Sequence, residues 1–246
     1  MVYLGGKALI AESLARAIRS RVTRDSRLLE PFIGGGSVHE WLAPHFRIAR
    51  AGDTHESLMM LWQAAQAGWI PPSIVTEEEY SEERKRAASA MHAFVGFGCS
   101  YAGKWWGGYA RGCGDYALKA ARSVTAKGRV LSHVRTELRR CDFAEWDVSN
   151  GDVIYCDPPY KGTTGYEVGD FVSGRFWRKA SEWTSAGAIV FVSEYTAPPG
   201  WSIVWEKPRR KHVGIAGGGS GGEAIEKLYV PEGTFEPMAR TMSLFT

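Results

Sequence analysis

Apolar residues recur at helical spacing through residues 8–19, which predicts a helix ahead of a short polar stretch. Leu28-Leu29-Glu30-Pro31-Phe32 then reads as a strand running into Gly34-Gly35-Gly36, with Ser37 as the N-cap of a helix through Leu42 that stops before Pro44. A second strand spans Phe46 to Ala51 and ends at Gly52-Asp53, followed by an amphipathic helix carrying Leu58, Leu61 and Trp62. Strand, glycine turn, helix, strand and acid make half of a doubly wound α/β sheet.

The pattern changes after Pro71-Pro72. Glu77 to Arg86 is a mixed-charge run that reads as a solvated helix face. Residues 94–114 are rich in glycine and aromatics, with neither helical nor strand period, and are expected to be irregular and functional rather than core. Residues 115–138 return to helix. Sheet character resumes at residues 152–156. A loop from Lys161 to Gly174 follows, then a helix near Phe176–Thr184 and a buried strand over 188–193. Trp201 to Trp205 and Glu226 to Val230 read as an antiparallel pair, with Lys207 to His212 and a flexible Gly217–Gly222 tract between them. The division expected is a main domain from 1–66 and 129–246, with an inserted region at 67–128.

Composition narrows the class without deciding it. At 246 residues the chain suits one large α/β domain with a small insertion, and 44% hydrophobic with 23% charged residues is ordinary for a soluble globular protein. A formal charge of +3 permits a nucleic-acid partner without demanding one. Cys99, Cys113, Cys141 and Cys156 show no paired spacing, and histidines at ligand spacing are few, so free thiols in a reducing cytoplasm are expected and a metal site is not. No long apolar run or signal peptide is seen, which predicts an intracellular protein with no membrane partner.

The chemistry concentrates at Asp157-Pro158-Pro159-Tyr160, directly after the strand-like Asp152-Val153-Ile154-Tyr155-Cys156. The carboxyl end of a strand is where an open α/β sheet places its ligand crevice. Proline holds the residue before it extended, so Asp157 leaves the strand toward that crevice. Pro158 has no N–H, and its carbonyl is a pure acceptor beside the carboxylate. Two acceptors next to an aromatic face suit an exocyclic amino group on a stacked base; a proline-stiffened strand exit with a surface tyrosine is the plainer alternative. At the other motif, Gly34 and Gly36 permit backbone angles and a close approach that a Cβ would forbid. Asp53, at the end of the next strand, can accept from two ribose hydroxyls. A tight structural turn would also account for these glycines.

Taken in order, Tyr3-Leu4-Gly5-Gly6-Lys7, Glu30-Pro31-Phe32-Ile33-Gly34-Gly35-Gly36, Asp53, Cys141-Asp142-Phe143 and Asp157-Pro158-Pro159-Tyr160 resemble the Dam-like, alpha-class DNA adenine-N6 methyltransferases, in particular short phage-borne members. The resemblance runs from residue 3 to about 230. It implies a Rossmann-like fold and S-adenosylmethionine (AdoMet) as cofactor. It places Tyr3, Lys7, Phe32, Gly34, Gly36, Asp53, Asp142, Phe143 and Asp157 at the cofactor, and Asp157, Pro158 and Tyr160 at the target base. An indole more usually stands where this chain has Tyr3. The partner implied is double-stranded DNA in the cytoplasm of a host cell. Two stretches could hold the duplex: Lys104, Trp105, Trp106, Tyr109 and Arg111, with base-edge donors and stacking faces, and Arg209, Arg210, Lys211 and His212, with dense positive charge. The plainer readings are a small satellite core for the tryptophans, a solvated hairpin for 209–212, a solvated lysine for Lys7 and an N-cap for Asp142. Methylation of cytosine N4 or RNA, or a non-catalytic AdoMet-liganded DNA-binding module, are the competing functions.

Overall fold

The computed structural model describes residues 3, 5–111, 115–159, 172–210 and 223–235. Seven helices and seven strands alternate along them: α1 (Ala11–Arg19), β1 (Arg27–Glu30), α2 (Ser37–Leu42), β2 (Ile48–Asp53), α3 (Glu56–Gln66), α4 (Glu77–Glu83), α5 (Ala90–Ala93), α6 (Tyr116–Val134), β3 (Glu137–Arg140), β4 (Val153–Cys156), α7 (Ser173–Ser185), β5 (Ile189–Glu194), β6 (Trp201–Arg210) and β7 (Glu223–Pro231). The strands form one sheet in the order β3-β2-β1-β4-β5-β7-β6. All neighbours from β3 to β5 are parallel, and β7 runs antiparallel to both β5 and β6. This is a doubly wound, Rossmann-like α/β fold whose order reverses between β1 and β4, where Leu29 pairs with Ile154. Such a switch point opens a crevice beyond the strands' carboxyl ends.

Alternation along each strand sorts the core. Leu28, Ala49, Val153, Tyr155 and Phe191 pack under α1 and α2, while Leu29, Ile154, Cys156, Val190 and Val192 pack under α7 with Phe143 and Trp146. Both faces of the central strands are buried, as a parallel sheet requires. A third cluster joins Ile33 and Ala51 to α3, α5 and α6.

Several boundaries and one whole element differ from the sequence reading. β2 starts at Ile48 rather than Phe46, and β1 stops at Glu30 because Pro31 cannot extend the ladder. Gly36, at φ 66°, is the N-cap of α2; Ser37 is its first residue. The helix expected over 115–138 ends at Val134, and β3 follows immediately on the sheet edge. Exposed arginines at 139 and 140 hid that strand behind a pattern with no apolar alternation. The boundary drawn at 128/129 falls inside α6, which packs with α3 in the same core as β2. Lys207 to Arg210, expected in a connection, continue β6. α4 is solvated on one face only, since Tyr80 and Glu83 are buried.

The largest correction concerns residues 94–114. Phe94–Gly98 form a buried wide-turn helix continuing α5. Trp105 packs on Phe97 and His55, each with ring centroids 4.5 Å away, and Trp106 lies 4.8 Å from His92. The Tyr109 hydroxyl donates to the Val75 carbonyl at 2.7 Å. Residues 94–100 are therefore core, Trp105, Trp106 and Tyr109 pack against it, and Gly96 makes room for the two indoles. Of the free thiols expected, Cys99, Cys141 and Cys156 are buried and unpaired, and Cys113 lies outside the described residues. Burial pushes Cys99 up to about 12 and Cys141 up to about 11, which keeps both as unreactive thiols. No described helix is long and apolar enough to cross a membrane.

Candidate active site

The site assembles around the reversal of the sheet. Gly34 at φ 46° and Gly36 at φ 66° turn the chain sharply from β1 into α2, in backbone regions that side chains disfavour. Tyr3 lies over that turn: a Cβ added at Gly34 would come within 3.2 Å of its ring, and one at Gly35 within 2.7 Å of its Cβ. The outward carbonyls of the turn are clasped from behind. Trp62 Nε1 donates to the Gly34 carbonyl at 2.9 Å, and Lys127 Nζ donates to the Gly35 carbonyl at 2.8 Å and to Ser37 Oγ at 3.1 Å. Lys127 is buried on α6, and desolvation pushes its ammonium down to about 8.

Asp53 ends β2 beside the turn and is half-buried. Its Oδ2 accepts from Gly34 N at 3.2 Å and its Oδ1 from His55 N at 3.0 Å. Desolvation holds its carboxyl above the ordinary range, against the pull of backbone N–H groups from His55, Gly34 and Thr54. Each carboxylate oxygen can take a further donor, so the group fits a ribose diol. His55 caps α3 by accepting from Leu58 N at 3.2 Å, and burial pushes its imidazole down to about 4.

Lys7 joins the two halves. Its Nζ lies 2.7 Å from Asp157 Oδ1 and 3.7 Å from Glu226 Oε2, with Lys7 and Glu226 fully buried and Asp157 21% exposed. The solvated lysine allowed by the sequence is ruled out by this burial. Pro158 is buried next to Asp157 at the exit of β4. Tyr160 and Lys211 lie outside the described residues, as do the side chains of Arg209 and Arg210.

Asp142 caps the short turn Phe143–Glu145: its Oδ1 accepts from Ala144 N at 2.9 Å, and both its oxygens accept from Arg175, at 2.7 and 3.0 Å. Phe143 is buried, 5.4 Å from Phe32 and 5.7 Å from Phe176 between ring centroids. The structure thus brings Tyr3, Lys7, Phe32, Gly34, Gly36, Asp53 and Asp157 around one strand-end crevice, with Phe143 behind Phe32. Lys104, Trp105, Tyr109 and Arg111 lie toward α4 and α5, and Trp105 and Tyr109 pack against the same core cluster as Tyr3, with Phe97 between Trp105 and Tyr3. There Lys104 is exposed and Arg111 forms an ion pair with Glu77.

Sequence reasoning missed Lys127, Glu226 and Trp62. Lys127 alone carried a signal, being the one charged residue on the buried stripe Ala117, Ala120, Ala121, Val124, Gly128 and Leu131. A second buried network, His39 between Glu30 at 2.8 Å and Thr136 at 3.0 Å, braces the base of the turn. No group of three or more metal-ligating side chains gathers among the described residues.

This strand order, with a glycine turn leaving β1 and Asp-Pro-Pro leaving β4 across the switch point, is a Rossmann-like arrangement that sets an acid beside a glycine turn. Residues 3–94 match the family described as D12 class N6 adenine-specific DNA methyltransferase. The chain is also similar to solved structures of low identity. An rRNA methylase from Streptococcus thermophilus is 6% identical with a TM-score of 0.40, over 89% of this chain and 93% of that one. A tRNA (m1A58) methyltransferase from Aquifex aeolicus is 10% identical with a TM-score of 0.39, over 90% and 68%. The magnesium protoporphyrin IX methyltransferase of Synechocystis PCC 6803, solved with bound SAM, is 10% identical with a TM-score of 0.40, over 93% and 80%. No curated protein matches the sequence.

Proposed function

We propose that the protein transfers a methyl group from AdoMet to N6 of an adenine flipped out of duplex DNA. The observation that carries the reading is the Lys7–Asp157 contact at 2.7 Å, which places the strand-end acid beside the amino-terminal motif and the glycine turn. The D12 match over residues 3–94 supports adenine N6 and DNA over the other amino-methylations.

The residues fit the cofactor. The Gly34–Gly36 turn packs against Tyr3 and Trp62 too closely for side chains, and beside it Asp53 offers its remaining lone pairs to the ribose. Tyr3 and Phe32 wall the methionine side, and Phe143 with Asp142 lies on the adenine side. When bound, AdoMet supplies a sulfonium-activated methyl group.

The protein's task is to prepare the nucleophile and align it. The N6 lone pair of adenine is delocalised into the ring. The Asp157 carboxylate and the Pro158 carbonyl each accept one N6 hydrogen, which draws that nitrogen toward tetrahedral geometry and restores the lone pair. Tyr160 stacks on the base and fixes its plane. In-line positioning completes the work. Lys7, Asp157 and Glu226 together carry one net negative charge, an environment suited to a sulfonium and to positive charge developing on nitrogen. Asp157 need not be a strong base, because the proton can leave N6 after the methyl group arrives. A base inside the duplex cannot reach this crevice and must be flipped out, at a cost of a few kcal/mol.

The test is to incubate the protein with labelled AdoMet and duplex DNA, digest to nucleosides and identify the product. N6-methyladenine is expected. N4-methylcytosine, or label entering RNA alone, overturns the assignment.

A further inference from the structure

We propose that the exposed face of α6 grips the sugar–phosphate backbone of the duplex whose base enters the crevice; the proposal rests on the DNA reading above. α6 is a 19-residue helix with no acidic residue. Its buried side faces α3, and its exposed side carries Lys119, Arg122, Arg129 and His133. At 3.6 residues per turn these four fall within a sector of about 80° and extend about 21 Å along the axis. That length matches roughly six base pairs of duplex at 3.4 Å each.

The row is not tied up in close ion pairs, although the exposed N-cap Asp115 stands four residues before Lys119. None of the four forms an ion pair among the described residues, whereas other exposed cations do: Arg140 pairs with Glu56, Arg175 with Asp142, and Arg111 with Glu77. The aromatics expected to meet DNA are committed inward, Trp105 to Phe97 and Tyr109 to Val75. Cations without close ion-pair partners in a straight row, beside a base-binding crevice, are what phosphate contacts use.

The height of the row fits that use. Lys127, on the opposite side of the helix, touches the Gly35 carbonyl, so the middle of α6 is level with the glycine turn. α6 feeds directly into β3, which runs parallel to β2 and β1, so the helix descends toward the amino end of the sheet. Its amino-terminal half therefore rises past the turn on the crevice side, with Arg122 about 8 Å and Lys119 about 12 Å beyond Lys127 along the axis. The row is also held rigidly. A Cβ at Gly128 would come within 2.5 Å of the Ala65 carbonyl oxygen, so α6 and α3 meet backbone to backbone. No Phe, Tyr or Trp stands among Lys119, Arg122 and Arg129 on that face, whereas single-strand binding relies on stacking faces between charges. A stiff duplex backbone is the occupant.

The test uses the full chain and two double variants, Lys119→Gln/Arg122→Gln and Arg129→Gln/His133→Gln. Affinity for a 30-base-pair duplex is measured from 50 to 200 mM salt, with AdoMet calorimetry on each variant to show that the fold and cofactor pocket persist. For Lys119→Gln/Arg122→Gln we expect at least tenfold weaker binding at the lowest salt and a salt slope shallower by about 1.8 units, at about 0.9 per phosphate. The lower pair should show a smaller loss of the same kind. Unchanged affinity and slope with intact AdoMet binding overturn the proposal. A loss confined to single-stranded RNA overturns the duplex as occupant. Methyl transfer by the unaltered chain is scored separately: its absence from DNA removes the function reading, while transfer with an unchanged slope in the variants removes only the role of α6.

Discussion

Lys7 Nζ and Asp157 Oδ1, 150 residues apart in the chain, meet at 2.7 Å, and Glu226 approaches the same ammonium at 3.7 Å from β7. One cation thus serves two carboxylates, Glu226 buried on β7 and Asp157 just past β4 and partly exposed. Removing the lysine leaves two like charges facing each other in a poorly solvated space.

That geometry predicts an asymmetric mutant cycle. Lys7→Met should destabilise the fold by about 3 kcal/mol, the low end for stranding a buried ion-pair partner because Asp157 keeps some solvent contact. Lys7→Met/Glu226→Gln should recover a good part of that loss, since Glu226 is the deeper of the two acids. Urea unfolding of the single and double variants measures the coupling. Purely additive effects would show that the ammonium does not bind the two acids together.

Asp157→Asn keeps the shape of the strand exit and removes the anionic acceptor. Methyl transfer should fall at least a hundredfold, the scale of one transition-state electrostatic contact, while AdoMet affinity changes far less. Asp53→Ala should do the reverse, weakening AdoMet binding in a chain that still folds. Transfer of labelled methyl groups and calorimetry on both variants separate the roles. Near-normal turnover in Asp157→Asn would contradict the mechanism.

The parts of this fold that were legible in the sequence are those where one local pattern decides the outcome. Leu28-Leu29, Val153 to Cys156 and Ile189 to Ser193 are short apolar runs between turn residues, and each is a central strand. The glycine turn and Asp157 were visible because unusual backbone demands leave unusual residues. β3 was not visible, because an edge strand beside the active crevice can be built of Glu137, Leu138, Arg139 and Arg140 with its pairing supplied by β2. The packing of Trp105 and Tyr109 was not legible for a related reason. A small core built from rings wrapped around glycines has no period, and aromatics without a period look the same whether they face DNA or one another. The Lys7–Glu226 contact spans most of the chain, and nothing local encodes it.

His55 makes the stability of the α3 start depend on pH. The neutral ring caps the helix through Nδ1, and burial holds its folded value near 4 against an ordinary 6.5. Between those limits the unfolded chain binds a proton that the folded one refuses. The contribution is complete above pH 6.5 and is lost as pH falls toward 4, on the order of 2 kcal/mol with screening allowed for. His55→Asn keeps a good N-cap and removes the titration, so its stability relative to the unaltered chain should rise across that window. Parallel slopes from thermal melts at pH 4 to 7 would contradict this.

Lys127 gives the opposite end of the pH scale and a link to the cofactor. Its folded value is about 8 against an ordinary 10.5, with desolvation as the main cause and Glu40 pulling weakly the other way. Below pH 8 both states hold the proton and the cost of burying the charge is fully present. Between 8 and 10.5 the unfolded chain keeps a proton that the folded one has released, so this residue's contribution to stability rises with pH, by about 3 kcal/mol over the whole window. Cys99, pushed up to about 12, works against that rise, because the unfolded thiol ionises first. The measurement is therefore the difference between the unaltered chain and Lys127→Met, which cancels the thiol. That difference should move in favour of the unaltered chain from pH 8 to 10. The neutral amine can still donate to the Gly35 carbonyl and Ser37 Oγ, so AdoMet affinity of the unaltered chain should hold steady over the same range. Methionine cannot donate at all, and the loosened turn should bind AdoMet about tenfold more weakly at every pH, roughly one lost hydrogen bond. A variant that matches the unaltered chain in AdoMet affinity would show that the clasp serves the helix packing alone.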